Sequence, residues 1–264
     1  MLAAVVPVKN EEKKLPKTLA TLLSMPFDLI IAVVNGSSDN SYNILQNSLN
    51  DRIIPVHFAE ALGFDVPRAV GAKTALVKGA GTVLFIDGDM DGELTENIQE
   101  LVELVQTGRA DMALTDCYYG KNLKPPSKLA SHVLQARQQL NTAIGLVKDI
   151  GTASPSHGPH AISRNFLLAI PLRELAIPPV ALALAAKMNF IVSIGTRVPN
   201  DALGSPVKNA RHSSLIAATI IGDCMEAINV YRGRVRQRIC RQIEYDGYHS
   251  QRRWDLLENY LGVG

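Results

Sequence analysis

Thr82-Val83-Leu84-Phe85-Ile86-Asp87-Gly88-Asp89-Met90-Asp91 is the stretch on which the reading of this chain turns. Its apolar run predicts a strand over Thr82–Ile86, covered on both faces. Asp87-Gly88-Asp89 then falls at the carboxyl end of that strand. Two carboxylates one glycine apart, with Asp91 beside them, concentrate negative charge. A hard divalent ion, Mg²⁺ or Mn²⁺, relieves that charge and can bridge to phosphate oxygens. Taken alone, the stretch is equally a polar turn rich in Asp and Gly.

Working outward, similar runs recur. Leu2–Val8, Leu29–Val34, Arg52–Phe58 and Asp111–Thr115 read as strands. Asn10 can cap a short turn, and Pro16 sets the first regular helix near Leu15. Val66–Ala80 and Thr95–Gln106 read as helices. Strands alternating with helices on short connections predict an α/β fold with a mainly parallel sheet covered on both faces. In such sheets the ligand lies beyond the carboxyl ends of the strands. The polar clusters Lys9–Glu11, Asn35–Asp39 and Asp87–Asp91 fall at those ends.

The second half is less regular. Tyr118–Lys128 reads as a loop, Leu129–Val147 as a helix and Gly151–His160 as a turn-rich segment. Pro178–Met188 is expected to be helical, Phe190–Ile194 a strand, and the chain from Arg211 mostly helical with a break near Gly247. Within that tail lie Arg232, Arg234, Arg236, Arg238 and Arg241, the first four of them spaced by two. That spacing makes no single helical face, so a solvated helix is expected. A membrane-surface or subunit contact, including a homodimer, is the sharper second reading.

The chain has 264 residues, 47% apolar and 20% charged, with a net charge of +2. This is an ordinary globular composition without a general attraction for nucleic acid. The three cysteines are far apart, which argues against a disulfide framework or a cysteine-rich zinc site and fits a reducing cytosol. The first residues place an apolar run before mixed charge, unlike a signal peptide. Val180–Ala186 and Leu215–Ile221 are too short to span a bilayer. A cytoplasmic protein, at most peripheral at a membrane and with no integral segment, is expected. No repeat or linker is visible, so residues 1–264 are read as one domain, with functional halves 1–115 and 116–264.

The series Pro7-Val8-Lys9-Asn10-Glu11-Glu12, Val34-Asn35-Gly36-Ser37-Ser38-Asp39-Asn40-Ser41, Arg68-Ala69-Val70-Gly71 and Phe85-Ile86-Asp87-Gly88-Asp89 resembles the nucleotide-sugar half of family 2 glycosyltransferases of the GT-A fold. The match in order and spacing covers roughly the first 115 residues. The resemblance implies a Rossmann-like GT-A sheet with a C-terminal helical extension. It implies that a UDP- or GDP-sugar is held by Pro7, Val8, Asn10 and Glu11, with Asn35 and Asp39 lining the base and ribose pocket. Arg68 would face the diphosphate, Asp87 the ribose and metal, and Asp89 would ligate the metal. The second half looks similar to glucosyl-3-phosphoglycerate and mannosylglycerate synthases. In those relatives a C-terminal histidine completes the metal shell, and His212 matches it here.

Inverting members of the family carry an acidic pair after the acceptor loop. Here that stretch reads Leu175-Ala176-Ile177-Pro178-Pro179-Val180, with Glu174 out of register. The general base is therefore open. His157, His160 and Glu174 are the catalytic candidates, and His157, His160 and Arg164 are candidates for a polar or anionic acceptor. The function expected is metal-dependent transfer of a sugar from a nucleotide sugar. A nucleotidyltransferase is the enzyme rival, though Pro7–Glu12 lacks the glycine-rich loop of that class. A catalytically silent sugar-nucleotide-binding protein is the other.

Overall fold

The structure is a computed structural model that describes residues 1–48, 50–120, 126–205 and 209–262. Along the chain it forms β1 (Leu2–Val8), α1 (Leu15–Leu23), β2 (Leu29–Asn35), α2 (Ser41–Gln46), β3 (Ile53–Phe58), α3 (Val66–Val77), β4 (Thr82–Phe85), α4 (Thr95–Gln106) and β5 (Met112–Asp116). There follow α5 (Lys128–Ala143), α6 (Val147–Ile150), β6 (His160–Ser163), α7 (Arg164–Ala169), α8 (Pro178–Lys187), β7 (Val192–Arg197), α9 (Ala210–Tyr231), the short pair β8 (Ile239–Cys240) and β9 (Ile243–Glu244), and α10 (Trp254–Leu261).

β1 to β7 form one sheet in the order β3-β2-β1-β4-β6-β5-β7. Pairing is parallel except along β6, which runs antiparallel to both β4 and β5. The carboxyl ends of β1, β2, β4, β5 and β7 therefore share one rim, and β6 begins there with His160. Alternate residues of β1 enter different cores. Ala3 and Val5 join α3, α5, α8 and α9 on one face, and Ala4, Val6 and Val8 join α1 and α4 on the other. α1 buries Leu15, Thr18, Leu19 and Leu22, and α4 buries Ile98, Leu101, Val102 and Val105. Both sets are one helical stripe facing the sheet.

Several expectations are corrected. The helix expected over Leu129–Val147 breaks after Ala143, where Gly145 takes φ +82° and a new turn begins at Val147. The strand expected over Phe190–Ile194 is shifted to Val192–Arg197, and α2 and β6 were not anticipated as elements. The arginine-rich tail is not a solvated helix. α9 ends at Tyr231, Gly233 takes φ +66°, and Arg238 is only 8% exposed. Of the loop expected over Tyr118–Lys128, residues 121–125 lie outside the described residues. The apolar run Leu215–Ile221 sits within α9, which by length and composition alone is long and apolar enough to cross a membrane. That helix packs on α5 and α8, and its Asp223 and Glu226 are ion-paired with Arg238, which suits a core helix.

Candidate functional site

Two loops at the rim are stitched to each other. Asn10 takes φ +58°, and its Oδ1 accepts from the Ser38 amide at 2.8 Å. The Glu11 amide donates to Ser41 Oγ at 2.9 Å, and the Glu12 amide to Asp39 Oδ2 at 2.9 Å. Glu12 returns a carboxylate oxygen to the Asn40 amide at 3.0 Å. Asp39 also accepts from the Ser41 amide at 3.0 Å, so its two oxygens hold two loops at once. Asn35 is buried, accepting from the Leu62 amide at 2.6 Å and donating to Gly63 O at 3.1 Å. It fastens the segment that leads from β3 into α3. At the end of β1, Pro7 O accepts from the Gly88 amide at 3.0 Å, which sets the acidic turn directly against Pro7 and Val8.

The three carboxylates of the acidic turn have different partners. Asp87 Oδ1 accepts from Arg68 Nη2 at 2.8 Å, while Arg68 Nε donates to Asp65 Oδ1 at 3.0 Å. Burial works against the charge on Arg68, but Asp87 and Asp65 outweigh it. The Arg68 side chain is 6% exposed, so its guanidinium braces Asp87 from within the protein. Asp65 sits at φ +64° at the start of α3, and burial raises its pKa against the pull of Arg68 and Arg252. Asp89 is 8% exposed and accepts from Ser205 Oγ at 3.3 Å. Asp91 is paired with Lys14 at 2.8 Å, and that hydrogen bond holds its carboxyl below the usual range. Lys14 also donates to Gly204 O, and the Gly92 amide donates to Leu203 O at 3.2 Å. The segment around 200–205 is thereby latched onto the acidic turn. Oxygen donors at a strand end, here Asp87 and Asp89, suit Mg²⁺ or Mn²⁺ chemically.

His212 lies in the first turn of α9, capped by Asn209, with its Nδ1 hydrogen-bonded to the Tyr248 hydroxyl. The chain between Ser205, which touches Asp89, and Asn209 includes residues 206–208, outside the described set.

The candidates for a base are differently placed. His157 Nδ1 lies 2.9 Å from Arg137 Nη1, and its Nε2 lies 2.9 Å from Asn200 Oδ1. An arginine can only donate, so Nδ1 accepts and Nε2 carries the proton. Burial and the nearby Arg137 push the His157 pKa down to about 3. His160 is 3% exposed and stacks on Phe85, with ring centroids 5.0 Å apart. Burial and Arg68 push it down to about 3 as well. Glu174 is tied to Arg236 at 2.7 Å. Arg164 is removed from the acceptor question, because it follows β6 at the sheet edge opposite the rim and donates to Leu76 O and Ala80 O.

Sequence reasoning missed Lys14, Asp65 and Arg137, which carry no motif. It also missed a buried network at the C-terminus. Arg252 donates to Asp223 at 2.8 and 2.9 Å, Arg238 bridges Asp223 and Glu226, and Arg236 joins Glu226 to Glu174. Asp223, Glu226 and His249 lie close enough to suggest a metal centre. Two buried guanidinium groups already neutralise those carboxylates, so the cluster does not fit a cation.

A glycosyl transferase family 2 model matches residues 3–168. No curated protein sequence matches. Among solved structures, glucosyl-3-phosphoglycerate synthase from Mycobacterium tuberculosis, in complex with Mn²⁺, uridine diphosphate and glucosyl-3-phosphoglycerate, is similar with a TM-score of 0.63 at 17% identity. That similarity covers 89% of this chain and 80% of the other. A mycobacterial protein gives 0.61 at 15% identity, covering 89% and 75%. TarS residues 1–349 of S. aureus give 0.50 at 16%, covering 87% and 73%. These likenesses concern the fold.

Proposed function

Because this chain belongs to glycosyl transferase family 2, we propose that it moves a sugar from a nucleotide-activated donor, a UDP- or GDP-sugar, to a polar or anionic acceptor, with Mg²⁺ or Mn²⁺ as cofactor. The observation that carries this reading is the meeting of Asp87 and Asp89 with the stitched 9–12 and 36–41 loops on one rim. The nucleoside rests against Pro7, Val8, Asn10 and Glu11, beside Asn35 and Asp39. Asp89 would hold the cation, with Asp87 and His212 as further candidate ligands. The cation, when bound, neutralises charge developing on the departing diphosphate. Arg68 keeps Asp87 aimed at the rim rather than touching the diphosphate itself.

His157 and His160 are poor bases, since burial and a nearby arginine push their pKa down to about 3, and Glu174 is ion-paired with Arg236. None of the three is suited to take the acceptor proton, so we place the proton acceptor on the substrate, at the leaving phosphate. The same observation favours one second reading, a silent protein that binds a sugar nucleotide without turnover. The free thiols of Cys117, Cys224 and Cys240 support a cytoplasmic setting. A thermal-shift screen of nucleoside diphosphates and nucleotide sugars with and without Mn²⁺ tests the proposal, since a ligand of the folded state raises the melting temperature. Protection by one nucleotide class that depends on the cation, with release of nucleoside diphosphate, supports transfer. Protection without release supports the silent reading, and no protection by any nucleotide contradicts both.

A further inference from the structure

After α9 the chain runs through Arg232-Gly233-Arg234-Val235-Arg236-Gln237-Arg238 into the hairpin of β8 and β9. The hairpin is rooted on α9. The Tyr245 amide donates to Arg238 O at 2.9 Å, Arg238 Nε donates to Tyr245 O at 3.1 Å, and a Cβ on Gly222 of α9 would strike both residues. Beyond that root the hairpin stands out from the body. Ile239 pairs with Glu244 and Cys240 with Ile243, and all four are exposed. Neighbouring strand residues point to opposite faces, so the two isoleucines, each 57% exposed, lie on opposite faces of the hairpin. Val235, just before it, is 78% exposed.

Five arginines and one carboxylate, Glu244, lie within residues 232–244. Arg236 and Arg238 turn inward to Glu174, Glu226 and Asp223. Arg232, Arg234 and Arg241 are exposed, and none of the three forms an ion pair among the described residues. Arg241 and Gln242 make the hairpin turn, at φ +47° and +66°. Two left-handed residues in such a turn favour Asn-Gly. An arginine there works against the turn, which points to a role for its charge outside folding.

We infer that this hairpin docks the protein on a membrane surface containing anionic lipid. Val235, Ile239 and Ile243 enter the boundary between headgroups and acyl chains, and Arg232, Arg234 and Arg241 meet the anionic headgroups. Charge complementarity selects this partner. Exposed apolar side chains interleaved with unpaired arginines match an interface that is apolar within and negative at its surface. The arginine stems can lie along the apolar layer while their heads stay among the headgroups. A nucleic acid matches less well, because it offers Ile239 and Ile243 no apolar layer. The inference does not depend on the transferase reading.

The test is co-sedimentation of the full chain with vesicles of phosphatidylcholine alone, or of phosphatidylcholine and phosphatidylserine in equal parts. Wild type is expected to prefer the mixed vesicles, less so as salt rises. An arginine near an anionic surface is worth about fivefold in partitioning, so Arg234→Gln with Arg241→Gln is expected to weaken binding about 25-fold. Ile239→Ser with Ile243→Ser is expected to weaken it about tenfold or more. Lys78→Gln with Lys148→Gln removes the same charge from exposed sites elsewhere and is expected to bind as wild type does. No preference for mixed vesicles, or an equal loss in the lysine variant, overturns the proposal. A second readout needs no variant. Cys240 is exposed while Cys117 and Cys224 are buried, so a thiol-reactive fluorophore marks the hairpin. Its emission is expected to shift to the blue on mixed vesicles, and an unshifted emission overturns the docking. Dimers of wild type without vesicles, lost in the hairpin variants, would assign the hairpin to a second copy of the chain and overturn it too.

Discussion

Arg68, in the first turn of α3, reaches Asp87 at the end of β4 across 2.8 Å, and the same guanidinium holds Asp65 at 3.0 Å. A helix packed on the sheet thus holds Asp87. Gly71, one turn further along α3, makes that packing close, because any side chain there would strike Val5 of β1. Arg252 adds a second tie, donating to Phe64 O at 3.1 Å beside Asp65. The C-terminal segment therefore braces the start of α3, which holds Asp87, from behind.

Replacing Arg68 by methionine is expected to take a cation from Asp87 and from Asp65, whose side chain is 8% exposed. Removing one partner of a buried pair costs about 3–5 kcal/mol. Urea unfolding measures it, with Arg68→Lys expected to recover part of the loss. A cost under about 1 kcal/mol would place the pair among weak surface bridges and contradict the bracing role.

His160 gives the molecule an acid-sensitive core. Its pKa is pushed down to about 3 in the fold, against about 6.5 in an unfolded chain. Below about 6.5 the unfolded state binds the extra proton, so this residue's contribution to stability is lost as pH falls from there toward 3. The expected slope is at most about 1.4 kcal/mol per pH unit. His160→Gln is expected to flatten the dependence of unfolding free energy on pH between about 6 and 5. An unchanged slope means that His160 already titrates near its ordinary value.

Asp223 faces both Arg238 and Arg252, and all three are nearly inaccessible to solvent. Asp223→Ala takes the paired carboxylate from buried Arg252 and leaves Arg238 only Glu226, so it is expected to destabilise the chain by about 3 kcal/mol. Mn²⁺ titrated into the wild type is expected to bind equally well in His249→Ala. Selective loss of binding in that variant would show that Asp223, Glu226 and His249 do hold a metal.

Gly92 has no room for a side chain, since a Cβ would run into Ala202 O and Leu203. Gly92→Ala is therefore expected to unlatch the 200–205 segment while the sheet stays intact. Hydrogen exchange reads this as faster exchange at 200–205, with β1 and β4 unchanged. Unchanged exchange at 200–205 would mean that the segment is held by other contacts.

Much of this was legible along the chain where local pattern and final environment agree. β1 is apolar from end to end because both faces are covered, and α4 shows its buried stripe at Ile98, Leu101, Val102 and Val105. β6 was not visible, since four residues beginning with a histidine become a strand only by insertion between β4 and β5. The arginines of the tail misled because their alternation says nothing of Asp223 and Glu226, a helix away. Asn35 and Asp39 stood out by type, but their bonds to Leu62 and Glu12 depend on loops distant in sequence. Arg137 looks like any exposed helix residue until α9 packs against α5.

Calorimetric titration of Mn²⁺ and a nucleoside diphosphate into wild type and Asp89→Ala tests the donor rim most directly. Wild type is expected to bind the nucleoside diphosphate more tightly when Mn²⁺ is present. Asp89→Ala is expected to lose that gain while unfolding as cooperatively as wild type, and His212→Ala to lose less, since a neutral ligand supplies less charge than a carboxylate. Equal binding of both ligands by wild type and Asp89→Ala would contradict the assignment of the metal and the donor to this rim.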